Sequence, residues 1–272
     1  MLLQRTLTAL LLAPVAFLVI LLPPTWLFAP VAAVVFLAAL WEWTRLSGLR
    51  NRRVRGALLA VALAAFGLLW WLQATPVWPV LLVAGVAWWA LACLWLRHYT
   101  FAAAPTPENR NLKLTAGVFV LFPAFVGLLA IHASEPHGHW WTFLALAIVW
   151  AADIGAYFSG RFLGKRKLAP NISPGKTWAG VYGAFAAGAL ITVAGGWLLG
   201  VEGLRLLGLA LLAVLTVAAS IIGDLIESLM KRHAQVKDSG RMFPGHGGLL
   251  DRMDSVFAAV PVFALGKLLL GL

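Results

Sequence analysis

The chain has 272 residues, of which 62% are hydrophobic and only 11% are charged. An average soluble domain has about 45–50% apolar and about 25% charged residues, and a soluble fold of this size could not hide so much apolar surface. The composition excludes a soluble enzyme and a disordered chain, and the single cysteine, Cys93, excludes a disulfide scaffold. We therefore expect a polytopic membrane protein.

Nine stretches are long and apolar enough to cross a bilayer, which takes about 20 residues. They lie at 6–22, 25–46, 56–73, 77–97, 113–132, 140–160, 178–199, 204–226 and 255–271. Strands are not expected, because these runs are long and do not alternate polar with apolar residues. The first stretch could instead be a signal peptide that follows Arg5, but prolines stand where small residues would be cleaved. The predicted fold class is an all-α integral membrane protein of about nine helices.

Basic residues outnumber acidic residues by 21 to 10, which gives a net charge of +11. All but two of the basic residues, Arg205 and Lys267, lie near the N-terminus, at the end of the second span or in loops after even-numbered spans. The positive-inside rule then makes the N-terminus and these loops cytoplasmic. This asymmetry explains the charge through membrane lipids, so we expect no nucleic-acid partner.

Polar residues are concentrated in the second half of the chain. The early spans are joined by short turns with a few arginines, whereas from Asp153 onward polar residues become dense. We divide the chain into transmembrane helices that form a scaffold, 1–135, and transmembrane helices that carry a cytoplasmic-face site, 136–272.

The densest polar stretch begins at the end of the eighth predicted span. Asp224 and Glu227 would be costly there unless they are paired or bound to metal. The chain then carries Lys231, Arg232, Lys237, Arg241, a glycine-rich turn at 244–248, Asp251 and Asp254. Carboxylates on both sides of a cationic, glycine-rich loop are suited to a divalent cation that holds a polyphosphate. The alternative is a solvated basic loop with capping aspartates.

This stretch resembles the signature of the phosphatidate cytidylyltransferases, also called CDP-diacylglycerol synthases. The matching positions are Ser228, Lys231, Arg232, Lys237, Asp238, Gly240, Phe243, Pro244, Gly245, His246, Gly247, Gly248, Asp251, Arg252 and Asp254. Segments 153–165 and 173–180 are similar to further family patterns, the second with departures at Gly175 and Ala179. Glu42 and Trp43 resemble a weaker N-terminal element.

The resemblance implies a reaction of CTP with phosphatidic acid that gives CDP-diacylglycerol and pyrophosphate for phospholipid biosynthesis. It also implies Mg²⁺, with a second cation allowed, a homodimer, and a bacterial-type plasma (inner) membrane with the site facing the cytoplasm. By this likeness Asp224 and Asp251 are assigned to the metal, with Asp254 and Glu227 as secondary candidates.

The remaining site residues are also implied by the resemblance. The expected catalytic residues are Asp224, Lys231, Arg232, Lys237, Asp238, His246, Asp251 and Arg252. The expected substrate-binding residues are Asp153, Tyr157, Lys165, Ser173, Lys176, Thr177, Gly247 and Gly248. Several roles stay open at this point. His246 either donates to a phosphate or fixes the loop, Asp153 is either functional or a structural acid, and Lys176 holds either CTP or phosphatidate.

Two other classes of protein remain as alternatives. A secondary transporter could use intramembrane acids as an ion path, but transporters usually have repeated halves with interrupted helices. Another lipid-linked phosphotransferase, such as a CDP-alcohol transferase or a polyprenol kinase, would also act at the membrane surface. The aspartate pattern of the CDP-alcohol transferases is absent from this sequence.

Overall fold

The computed structural model describes residues 14–240, 242 and 247–272. Residues 14–21 are helical, and the rest of this part forms eight helices and one small sheet. The helices are α1 (Thr25–Leu46), α2 (Arg52–Trp71), α3 (Val77–Arg97), α4 (Pro107–His132), α5 (Gly138–Leu163), α6 (Trp178–Leu198), α7 (Gly203–His233) and α8 (Leu250–Leu269). The strands are β1 (Lys167–Ala169) and β2 (Ser173–Thr177).

The predicted all-α membrane fold is confirmed. In the described residues, the seven helices α1 to α7 are long and apolar enough to cross a membrane. The ninth predicted span, 255–271, corresponds to α8, which carries four charged residues. The first predicted span lies partly outside the described residues.

Hydropathy placed some helix ends well and others poorly. Helices α1 and α3 have the predicted bounds, whereas α4 begins six residues before its predicted span and α7 ends seven residues after it. Thr106 caps α4 by accepting a hydrogen bond from the Asn109 amide at 3.3 Å. Helix α7 continues through its polar end because Glu227 and Lys231 pair one turn apart. A hydropathy pattern reports only the apolar part of such helices.

A short antiparallel hairpin joins α5 to α6 and was not expected from the sequence. Lys167 pairs with Thr177, and Ala169 pairs with Ser173. Arg232 of α7 donates to the Ile172 carbonyl at 3.1 Å, which holds the hairpin turn against α7. Thr177 then caps α6 by accepting from the Gly180 amide at 3.1 Å. The hairpin therefore fixes the position of the residues at 173–177.

Helix α8 lies in the centre of the bundle, where it packs against α1, α3, α4, α5 and α7. Phe257 and Phe263 are fully buried, and the Phe257 ring lies 5.2 Å from that of Phe36 on α1. Because α8 is enclosed by the earlier helices, its first turn at 250–254 is surrounded by groups that are distant in the sequence.

Helices α5 and α6 pack with their backbones close together, and glycine makes this approach possible. A Cβ atom at Gly155 would lie 2.4 Å from the Gly183 carbonyl oxygen and 2.7 Å from the Ala187 Cβ. Neither atom belongs to a flexible side chain, so any larger residue must separate the two helices. In contrast, a Cβ atom at Gly67 would have nothing within 4 Å.

We predict that Gly155→Ala destabilises the protein by about 1–3 kcal/mol, as overpacking does elsewhere. The control is Gly67→Ala, which should be neutral or slightly stabilising because alanine favours the helix over glycine. Thermal unfolding of both variants in neutral detergent measures the difference. Equal unfolding midpoints for the two variants would contradict the close approach of α5 and α6.

Candidate active site

A cavity of about 600 Å³ opens among α5, the hairpin, α6, α7 and the start of α8. It contains many of the residues expected to form the site. The expected residues that line it are Asp153, Tyr157, Lys176, Thr177, Asp224, Asp251, Arg252 and Asp254. Segments that lie about 100 residues apart in the sequence therefore meet at one place. We refer to this cavity as the acidic pocket.

An ion pair joins two sides of the acidic pocket. Lys176 Nζ at the end of the hairpin lies 2.5 Å from Asp224 Oδ2 on α7. Both side chains keep part of their surface exposed to the cavity. Because the pair is not enclosed, a bound anion could contact Lys176 while a cation contacts Asp224.

Besides Asp251, three carboxylates line the acidic pocket from three different helices, those of Asp153, Asp224 and Asp254. Within the described residues, no three side chains of His, Cys, Asp or Glu stand close enough to hold a metal ion by themselves. Mg²⁺ is usually bound by one or two carboxylates together with water and substrate phosphates. The donors present thus fit a magnesium ion that is bound jointly with a phosphate-bearing substrate.

Asp251 has its carboxylate oxygens engaged by the protein. Its Oδ1 accepts from Lys231 Nζ at 2.7 Å, and its Oδ2 accepts from the amides of Ser239 at 2.9 Å and Gly248 at 2.7 Å. Burial alone would raise the pKa of Asp251, but hydrogen bonding with Lys231, then with Glu227 and the Gly248 amide, holds the pKa at about 2. The ionised Asp251 therefore ties both ends of the loop between α7 and α8 to the first turn of α8.

Lys231 joins this carboxylate to a second one. Its Nζ lies 2.5 Å from Glu227 Oε2, one turn earlier on α7, as well as 2.7 Å from Asp251. Glu227 is only 2% exposed and does not line the acidic pocket. Lys231 thus compensates a buried carboxylate and positions Asp251. Because Glu227 is joined to Asp251 through Lys231 and does not line the acidic pocket, its secondary metal role stays a prediction.

Glu42 of α1 is a site residue that the sequence analysis did not assign. It is only 6% exposed, and it accepts hydrogen bonds from the amides of Leu249 at 3.1 Å and Leu250 at 2.8 Å. Ser239 Oγ lies 2.8 Å from Glu42 and 2.9 Å from Asp251, so its one hydroxyl proton can be donated to either carboxylate. A carboxylate inside a predicted span was the available signal, because such a group needs a partner.

The glycines of the loop leave room for these two carboxylates. A Cβ atom at Gly240 would lie 2.0 Å from Glu42 Oε1, and one at Gly248 would lie 2.3 Å from Glu42 Oε2. Gly247 has a φ of +86°, which favours glycine, and its Cβ position is 2.6 Å from Asp251 Oδ2. Gly247 and Gly248 were expected to bind substrate, and the structure shows that both also pack against the carboxylates that hold the loop.

Five further expected residues lie outside the acidic pocket lining. Lys165, Lys237 and Asp238 are exposed, Ser173 is half-buried in β2, and Arg232 holds the hairpin. Tyr157 lines the pocket, and its hydroxyl accepts from Arg161 Nη1 at 2.5 Å. His246 lies outside the described residues. The assigned roles of these residues stay predictions.

Comparison with known proteins identifies the family. The chain matches the cytidylyltransferase family model over residues 3–269. The chain belongs to the cytidylyltransferase family. It is 44% identical to the phosphatidate cytidylyltransferase of Pseudomonas aeruginosa over 271 residues, which cover 97% of this chain and 96% of that protein. It is 37% identical to the phosphatidate cytidylyltransferase of Haemophilus influenzae over 282 residues, which cover 97% and 98%. The resemblance found in the sequence is therefore confirmed.

A third relative has the same name and is less similar. The phosphatidate cytidylyltransferase of Brucella suis is 35% identical over 247 residues, which cover 88% of this chain and 83% of that protein. The three alignments extend far beyond the loop signature. The cytidylyltransferase family thus includes the N-terminal helices, and with them the segment that contributes Glu42.

We predict that Glu42→Gln lowers turnover at least tenfold while the protein still folds in the membrane. The amide keeps one acceptor oxygen but turns an NH₂ group toward backbone N–H donors, so the start of α8 loses part of its cap. We expect kcat to fall more than the KM of either substrate rises, because the loop is displaced and the pocket remains.

Glu202→Gln is the matched control, because Glu202 is exposed at the start of α7 and its side chain makes no capping hydrogen bond. Its activity should equal that of the wild type. Limited proteolysis within 235–248 should be faster in Glu42→Gln alone. Normal turnover in Glu42→Gln would show that the cap does not position the site.

Proposed function

We infer that this protein is a phosphatidate cytidylyltransferase, which transfers the cytidylyl group of CTP to phosphatidic acid in phospholipid synthesis. The observation that carries this inference is near full-length similarity to enzymes of that name, combined with a pocket in which acids and cations meet at the ends of membrane helices. A transporter and other lipid-linked phosphotransferases are not favoured by these relatives.

The reaction depends on stabilising negative charge on the phosphates more than on proton transfer. A phosphate oxygen of phosphatidate forms a bond to the α-phosphorus of CTP, and the bond from that phosphorus to the bridging oxygen of the β-phosphate breaks. Pyrophosphate then leaves with the electron pair of that bond. The attacking phosphate is already an anion near neutral pH, so it needs little help from a general base. The barrier lies in bringing two polyanions together and in stabilising the leaving group.

Residues of the acidic pocket are suited to these tasks. We propose that Lys176 and Arg252 contact phosphate oxygens, because both line the same cavity from opposite segments. Lys231 is placed to orient Asp251 through the hydrogen bond described above, so it acts on the loop between α7 and α8. Lys237 and Asp238, which are exposed on that loop, are proposed to meet CTP from the aqueous side.

Magnesium is proposed as the cofactor, with Asp224 as its principal ligand and Asp254 as a second. Asp251, the other ligand assigned from the family, would have to exchange its bond from Lys231 to join them. When bound, the ion supplies positive charge to the phosphates. A second cation, a homodimer, cytoplasmic orientation and an inner-membrane location are part of the same proposal, supported by the family resemblance and the distribution of basic residues.

We predict that Lys176→Met and Asp224→Asn each lower turnover about 100-fold or more, as loss of a charge-stabilising group does in other active sites. The assay is conversion of radiolabelled CTP and phosphatidic acid to labelled lipid with Mg²⁺ in detergent micelles. The double variant removes the ion pair without leaving a lone charge. It should remain as inactive as the single variants.

The double variant separates catalysis from structure. If Lys176 and Asp224 only stabilise each other, removing both should restore activity, and that result would contradict the proposed site. Glu135→Gln, on a loop that lies away from the acidic pocket, serves as the control and should keep full activity.

We also predict that the acidic pocket faces the cytoplasm. In a Cys93→Ala background, a cysteine that replaces the exposed Asn171 should react with an impermeant thiol reagent only from the cytoplasmic side. A cysteine that replaces the exposed Glu135 should react only from the opposite side. Labelling of intact and inverted membrane vesicles measures both, and reversed labelling would overturn the topology.

A further inference from the structure

A second cavity, of about 730 Å³, lies among the ends of α1, α4 and α7, the turn after α1 and the loop before α4. Its lining contains six basic side chains and, among the described residues, no Asp or Glu. The basic residues are Arg45, Arg50, Arg55, Arg110, Lys113 and His233. We call this cavity the basic pocket. It shares no lining residue with the acidic pocket.

Lys113 is the residue of the basic pocket whose position needs an explanation. It is only 5% exposed, yet no carboxylate of the described residues forms an ion pair with it. Its carbonyl accepts a hydrogen bond from Trp43 Nε1 at 2.8 Å, which fixes the backbone beside the cavity. Lys113 lines the cavity and has no acidic partner there, which is unfavourable for a mostly buried cation. An anion in the basic pocket would supply that partner.

Arg55, in the same pocket, differs from Lys113 because protein groups already contact its guanidinium. Its Nε donates to Thr44 Oγ1 at 3.0 Å, its Nη2 donates to the Trp41 carbonyl at 2.5 Å, and its guanidinium lies 3.6 Å from the centre of the Trp41 ring. Arg55 is therefore occupied by protein contacts. In the described residues, no carboxylate pairs with Arg45, Arg50 or Arg110.

Membrane topology alone does not account for this arrangement. The positive-inside rule requires only that cations lie on the cytoplasmic side, and exposed arginines such as Arg52 and Arg53 satisfy it. It does not require that basic side chains converge on one cavity or that an unpaired lysine be buried there.

We propose that the basic pocket binds a phosphate group at a site separate from the active site. Arginine and lysine together are suited to the three or four oxygens of a phosphate. The phosphate can come from the headgroup of an anionic phospholipid in the adjacent leaflet or from a soluble phosphate. The site extends the proposed function and does not depend on it, because its residues take no part in the acidic pocket.

A fluorescent reporter in the basic pocket tests the proposal. Ala104 lines the pocket and is exposed, so Ala104→Cys in a Cys93→Ala background can carry an environment-sensitive dye. The labelled full-length protein, delipidated in neutral detergent, is titrated with inorganic phosphate and, separately, with micelles that contain phosphatidylglycerol or neutral phosphatidylcholine. We expect a saturable change with at least one phosphate-bearing anion and none with phosphatidylcholine. The anion that saturates the signal identifies the source.

Matched variants distinguish a built site from general positive charge. Arg50→Gln with Arg110→Gln should raise the half-saturating concentration at least tenfold, and Lys113→Gln tests the buried ammonium separately. Arg52→Gln with Arg53→Gln removes the same charge outside the pocket and should change it less than twofold. The proposal is overturned if neither anion gives a saturable signal, if phosphatidylcholine acts equally, or if the control pair weakens binding as much as the pocket pair. Cytidylyl transfer by each variant is measured in parallel, so a failed active site is recognised independently.

Discussion

The amide groups at the start of α8 are the constraint on which the active-site geometry depends. The first amides of a helix have no partner within the helix, and Leu250 at the start of α8 is buried, so protein groups must satisfy its amide. Glu42, from a helix more than 200 residues earlier, accepts from Leu249 and Leu250. Formation of the loop after α7 is therefore coupled to correct packing of α1. This coupling gives the N-terminal helices a direct part in a site that is otherwise built from the second half of the chain.

The acidic side chains divide into two groups according to what neutralises them. Glu42, Glu227 and Asp251 have their charges compensated by amides or by Lys231, so they hold the loop and the end of α7 in place. Asp153, Asp224 and Asp254 line the acidic pocket, as Asp251 does, but a cation or a cationic side chain in the pocket can reach them. Acidic residues thus have a structural role at the loop after α7 and can act as ligands in the acidic pocket. Burial and hydrogen-bond partners distinguish the two roles, and sequence position does not.

Sequence reasoning located the membrane helices and the segments that form the acidic pocket because both leave local signals. The length of the apolar stretches predicts the ends of α1 and α3 to the residue. A carboxylate at the end of a predicted span indicates that Asp224 belongs to the site. The role of Glu42 could not be predicted, since it depends on a contact with Leu250 on the last helix. The hairpin was also missed, because five or fewer residues per strand carry little pattern and its position relies on Arg232. The sequence pattern indicated which polar residues are candidates for the site. Only the packing shows which of them are already bound by other groups of the protein.

The basic side chains follow the same physical logic as the acids, with a different outcome. Lys231 is held between two carboxylates, and Arg55 is held by a threonine, a carbonyl and an indole ring. These residues are positioned by the protein and have little capacity left for a ligand. Lys176 keeps an exposed face in the acidic pocket, and Lys113 is buried without an acidic partner in the basic pocket. An enzyme that joins a lipid phosphate to a nucleotide must gather anions against their mutual repulsion. Cations that remain accessible to a ligand in both pockets lower the free energy of such anions near the membrane surface.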